Sequence, residues 1–166
     1  SSTMIFSESG KAERETLSYE RDDFWATTSN KQLNFLQHVK TILKVNGRCS
    51  IVVTDNVLFE GGAGETVRIK MLEQMNCHTL LRLPTGIFYA GGVKANVLFF
   101  DKKPARTDGK AWTENMWIYD FRTNQHFTLK ENTLSREHLN DFVKCYNSKN
   151  ILKRKETDQF HAYSYD

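Results

Sequence analysis

A chain of 166 residues that is 39% hydrophobic and 12% aromatic can bury a core of its own, which excludes a disordered class. Its net charge of +3 is too small to argue for a nucleic-acid partner by itself and reads as a mildly basic, solvated surface. The cysteines Cys49, Cys77 and Cys145 are odd in number, far apart and set in apolar contexts, so buried thiols in a reducing compartment are expected, not a disulfide framework or a metal site.

No apolar run approaches the roughly 18 residues of a membrane helix, and SSTMIFSESGK lacks the apolar core of a signal peptide. Residues 1–28 are mostly polar and read as an arm or loop. SNKQ (29–32) has the Ser-x-x-Gln spacing of a capping box and predicts a helix with Leu33, Leu36, Val39, Ile42 and Leu43 on one face. Asn46-Gly47 should stop it, with Gly47 in the left-handed position. CSIVVT (49–54) is a near-continuous, β-branched apolar run, the pattern of a strand covered on both faces. After a glycine-rich turn, ETVRIKMLEQM puts Val67, Met71, Leu72 and Met75 on one helical face, and HTLLRL (78–83) is a second strand. Residues 49–83 thus read as a right-handed parallel crossover.

The next step differs. Only about ten residues separate Leu83 from the apolar run KANVLFF, and a parallel return needs roughly a dozen or more. This pair is expected to be antiparallel. MWIYDF (116–121) adds another strand, and a last amphipathic helix should align Leu139, Phe142, Val143 and Tyr146. Residues 148–166, which hold the basic run Lys153-Arg154-Lys155, read as a basic and polar tail.

A crossover makes both parallel strands point the same way. The loops at 55–64 and 84–92 then share the carboxyl edge, where open α/β sheets place ligands. RLPTGIFYAGGVKANVLFF would bring Phe88 and Tyr89 to that cleft; the competing reading folds both rings back into the core, with Gly86, Gly91 and Gly92 as turn residues. Asp55, Asn56, Gly61, Gly62 and Lys94 are further cleft-edge candidates, although Asp55 and Asn56 could equally cap the turn. FEGGAGET (59–66) is not G-x-G-x-x-G, no G-K-[ST] follows, and Arg82-Leu83-Pro84 stands where an acidic ribose ligand is expected. A tight turn into a helix is the expected reading. The five histidines show no metal-ligand spacing, so no metal is expected, and no Ser-His-Asp or Cys-His pattern can be placed.

TSNKQLNFLQH, DNVLFEGG and LPTGIFY, in that order, with MWIYDFRTN and a Leu-containing helix after them, are similar to the methylation (modification) subunits of type I restriction-modification systems. The resemblance covers roughly residues 20–146. It implies a three-layer α/β, Rossmann-like adenine-N6 DNA methyltransferase, with residues 29–147 as the C-terminal part of its sheet, closed by an antiparallel hairpin. In that family S-adenosylmethionine binds at a glycine loop, an Asn-Pro-Pro-Phe or related tetrapeptide holds the target amino group, and the adenine is flipped out of double-stranded DNA. An aromatic between the sixth and seventh strands stacks on the base, and Phe88 and Tyr89 are the matching residues, Tyr89 being preferred.

The chain departs from the family in two respects: the first-strand glycine loop that binds S-adenosylmethionine is missing, and so is the tetrapeptide. Its two prolines, Pro84 and Pro104, are not adjacent, so the tetrapeptide is absent and no catalytic residue can be assigned. The resemblance therefore implies a piece of a modification subunit that works with specificity and restriction subunits in the prokaryotic cytoplasm. By itself the chain is expected to be inactive, to hold no S-adenosylmethionine tightly, and to self-associate through an open strand edge at 49–54 or the apolar faces beside it. The alternative is a small non-catalytic α/β domain for DNA docking or protein assembly.

Overall fold

The computed structural model describes residues 4–6, 8–14, 18–122, 125–147 and 149–166. Strands β1 (Met4–Phe6) and β2 (Ala12–Arg14) pair as an antiparallel hairpin, so part of the expected arm is ordered as a strand pair. Helix α1 (Lys31–Ile42) is capped by Asn30 rather than Ser29: the Asn30 side-chain oxygen accepts from the N–H groups of Gln32 and Leu33 at 3.0 and 3.2 Å. Leu33 and Leu36 are buried, but Ile42 is exposed, so the apolar stripe is narrower than the spacing suggests. Asn46, not Gly47, takes the positive φ (62°) after the helix, as asparagine readily does.

Strand β3 (Arg48–Thr54) leads into a short helix α2 (Asp55–Phe59), where a loop was expected, and then into α3 (Ala63–Gln74). Strands β4 (Met75–Arg82), β5 (Ala95–Lys102) and β6 (Asn115–Asp120) follow. A 3-10 turn (Arg136–Leu139) opens α4 (Asn140–Tyr146), and β7 (Phe160–Ser164) ends the sheet. The strand order is β3-β5-β4-β6-β7. β5 is antiparallel to both β3 and β4, β6 is parallel to β4, and β7 is antiparallel to β6. The β4–β5 hairpin is as expected. The crossover from β3 to β4 skips one place, which β5 fills. The carboxyl ends of β3, β4 and β6 therefore share one edge of a mixed sheet.

Two core clusters make three layers. Leu33, Val67, Met71, Leu80 and Leu98 pack between α1, α3 and one face; Leu81, Tyr119, Phe121, Phe142 and Phe160 lie on the other face, under α4. Each such side chain contributes about 1.5–3 kcal/mol of apolar burial. Within α4 the buried residue is Phe142, while Val143 is half exposed. β3 corrects one expectation: Ile51 and Val53 are buried but Val52 is 56% exposed, so this strand is covered on one face only. The last residues correct another. The expected polar tail supplies β7, with Phe160 buried, and Arg154 is only 7% exposed. Its guanidinium donates to the carbonyls of Tyr146 and His78 and to Thr79 Oγ1, which offsets the burial of its charge.

Candidate functional site

The carboxyl edge holds the loop that joins β4 to β5. The Leu83 N–H donates to the Ala95 carbonyl at 3.0 Å and closes the neck of the loop. Gly86 has φ +86°, and a Cβ there would stand 1.9 Å from the Phe127 carbonyl oxygen. Only glycine lets the two backbones approach this closely. Ile87, Phe88 and Val93 are partly buried and pack against the second core cluster. Tyr89, beside Phe88, is 96% exposed. One ring anchors the loop and its neighbour is presented to solvent.

Asp55, the first residue of α2, lies beside this neck. Its N–H donates to the Lys94 carbonyl at 3.0 Å. Its carboxylate accepts a bidentate pair of bonds from Arg122 at 3.0 and 2.7 Å and a third from Asn96 Nδ2 at 2.8 Å. Arg82 Nη2 stands 3.9 Å away. The Arg122 hydrogen bonds hold the Asp55 carboxyl below the usual carboxylate range, against an opposing push from burial, and Asn96 and the charges of Arg122 and Arg82 add to the lowering. Arg122 also donates from Nε to the Leu83 carbonyl at 2.9 Å and from Nη2 to the Ala95 carbonyl at 3.1 Å. Asp55 is thus committed to an internal ion pair and is not an open ligand.

The other candidates are placed differently. Asn56 is exposed, with its side-chain oxygen accepting from the Thr54 hydroxyl. The Lys94 side chain is exposed, and only its carbonyl joins the cluster. Gly61 and Gly62 lie beyond α2, exposed, with nothing within 4 Å of an added Cβ. Gly62 takes φ +59° to start α3. Their turn is stapled by Arg68, whose Nη1 donates to the Glu60 and Val57 carbonyls.

This turn does not fit S-adenosylmethionine. The N–H groups of Gly64 and Thr66 already donate to the carbonyls of Gly61 and Gly62, and neither glycine faces a cradle that a Cβ would fill. Arg82, at the end of β4, has the wrong charge for a ribose ligand. Among the described residues no group of three or more His, Cys, Asp or Glu side chains could hold a metal ion, and no helix is long and apolar enough to cross a membrane.

A cavity of about 590 Å³ lies at the other end of β5, lined by Lys40, Lys102, Lys103, Arg106 and Trp112, among others, and it contains none of the expected site residues. Several of its cations are already engaged: Lys102 Nζ donates to the Lys40 carbonyl, and Arg106 pairs with Asp108 over the Trp112 ring. The carboxyl edge carries the more specific chemistry. Arg122 and Asn96 were missed in the sequence. Asn96 left a signal, a polar residue inside the apolar run KANVLFF that has to be hydrogen-bonded once buried.

The methylase subunit of the type I restriction enzyme EcoKI of Escherichia coli (strain K12) is 49% identical over 121 residues, 72% of this chain and 23% of that protein. The StySJI methylase subunit of Salmonella typhimurium is 48% identical over the same shares. The chain spans about a quarter of the length of these curated relatives. The crystal structure of the EcoKI M protein superposes with a TM-score of 0.73 at 36% identity, over 83% of this chain and 35% of that one. A chain from a study of complex assembly and conformational transition in a type I restriction-modification system gives 0.73 at 26% identity, over 89% and 32%. The N-6 DNA methylase family model matches residues 4–164, from β1 to β7, and the chain belongs to that family.

Proposed function

We propose that the chain is part of the modification subunit of a type I restriction-modification system, whose whole protein transfers a methyl group from S-adenosylmethionine to adenine N6 in double-stranded DNA. The observation that carries this reading is the split within the β4–β5 loop, where Phe88 packs inward and Tyr89 is presented at the carboxyl edge. A ring that stacks on a flipped base must be held out from the core, and such stacking is worth about 1–3 kcal/mol by alanine substitution. Tyr89 is assigned the base and Phe88 the anchor. A phenol tolerates the wet cleft and can hydrogen-bond there.

S-adenosylmethionine supplies the methyl group in this reading and is held by residues other than the 59–66 turn. The chain's own contribution is to present the base. Its partners are DNA and the specificity and restriction subunits of the same system, in the bacterial cytoplasm. The free cysteines Cys49, Cys77 and Cys145 support a reducing compartment.

The test uses the complete modification subunit with two DNAs, one carrying 2-aminopurine at the target position to follow flipping and one carrying adenine there to follow methylation. Tyr89→Ala should lower the flipped-base signal and methylation by about ten- to a hundredfold. S-adenosylmethionine affinity and thermal midpoint should stay nearly unchanged. Phe88→Ala should instead cost about 2 kcal/mol of stability, the low end for a ring that is only partly buried. Swapped outcomes would swap the two roles. If neither change affects flipping, the loop is packing only and the base-stacking reading fails.

A further inference from the structure

We infer that Arg122 is the positioning residue for base presentation: one guanidinium ties both stems of the Tyr89 loop to each other and to the end of β3, and so fixes where the Tyr89 ring stands. The inference rests on the base-stacking reading and names the residue through which the loop depends on the rest of the sheet.

The loop needs such a device. It runs between Leu83 and Ala95, contains Gly86, Gly91 and Gly92, and its neck is closed by one backbone hydrogen bond between its end residues. Glycines loosen the chain, and a presented ring on a loose loop would lose entropy each time it met a base. Arg122 removes that freedom at the neck. Nε reaches the Leu83 carbonyl at 2.9 Å on one stem, and Nη2 reaches the Ala95 carbonyl at 3.1 Å on the other. The same fork holds both carboxylate oxygens of Asp55, and the Asp55 N–H in turn holds the Lys94 carbonyl.

The ends of β3, β4 and β6 and the start of β5 therefore converge on one side chain. Arg122 is itself held in place: its N–H donates to Asp120 Oδ1 at 2.9 Å, and the preceding Phe121 N–H donates to the Arg82 carbonyl at 3.1 Å. Only a planar guanidinium offers donors in the directions of two carbonyls and a carboxylate at once. Lysine keeps the charge and loses the fork.

Two measurements test this. On the 166-residue chain, Arg122→Lys should speed amide exchange at Leu83 and Asp55, whose N–H groups bond to the loop stems, by about tenfold, as expected for losing charge-assisted bonds. Exchange in the β4–β5 ladder should be unchanged. In the complete modification subunit, Arg122→Lys should lower the 2-aminopurine signal and kcat by about tenfold at unchanged S-adenosylmethionine affinity. It should add nothing in a Tyr89→Ala background, since both changes act through one ring. Asp55→Asn, which weakens the same fork, should follow with a smaller effect and serves if Arg122→Lys folds poorly. Unchanged exchange, or an effect that adds in full to that of Tyr89→Ala, would overturn the inference. If Tyr89→Ala alone leaves flipping intact, the stacking reading falls, and the exchange arm still decides whether Arg122 holds the loop.

Discussion

The carboxylate of Asp55 faces two guanidiniums, Arg122 in bidentate contact and Arg82 at 3.9 Å. This arrangement has a consequence for pH. The Arg122 hydrogen bonds lower the Asp55 carboxyl relative to the unfolded chain, where a value of about 3.9 is usual. A lowered carboxyl binds fewer protons folded than unfolded, so its contribution is complete above about pH 4 and is lost as pH falls through the lowered folded value. Urea unfolding from pH 7 to pH 3 should therefore show the chain losing stability below about pH 4 more steeply than its Asp55→Asn variant. Parallel curves would mean that the pair contributes no net stability, its attraction only offsetting the cost of desolvating both charges. At this scale the sequence was half legible. Asp55 stood out as an acid ending a strand-like run, but its partner is 67 residues away, and no spacing rule connects the two. Arg122 follows the strand-like run MWIYDF, and only the fold brings it to Asp55.

Gly86 and Gly91 occupy one loop and look equivalent in sequence, yet their surroundings differ. Gly86 has φ +86° and the Phe127 carbonyl where a Cβ would go; Gly91 has open space and no left-handed φ. Gly86→Ala should cost about 3 kcal/mol, combining a left-handed non-glycine residue with displaced backbone, and should free the loop. Gly91→Ala should stay within about 0.5 kcal/mol. Urea unfolding of both variants checks this, and a neutral Gly86→Ala would show that the loop does not rest on the segment around Phe127. Whole elements were legible where chain length decided the outcome: a loop too short for a crossover forced the β4–β5 hairpin. They were illegible where a neighbour decided it. CSIVVT looks doubly covered because β-branched residues suit any strand, and only the sheet order shows β3 exposed on one face. FHAYS looks polar because His161, Tyr163 and Ser164 face solvent, while Phe160 is buried beside Trp117.

The sheet as a whole has two outer strands, β3 and β7, and they are not equivalent. β3 pairs with β5 along its full length from Arg48 to Thr54, and among the described residues no strand pairs with its other edge. It is seven residues long, in-register and rich in β-branched side chains, with Val52 exposed. A strand of this kind is a template for another chain. Natural edges are usually blunted by charge or a bulge, and here the blunting is slight: Arg48 lies at one end, and the outward positions Ser50 and Val52 carry no charge. β7 is shorter, with His161 exposed on its face. The 166-residue chain should therefore self-associate through β3, and sedimentation velocity should show an average mass that rises with concentration. Val52→Lys places a charge on the exposed face of that edge and should return the chain toward monomer without changing its thermal midpoint by more than a few degrees, since the side chain is solvent-facing. A monomer at every concentration would mean that the edge is already closed, and association unchanged by Val52→Lys would move the contact to another surface, with β7 the next to test.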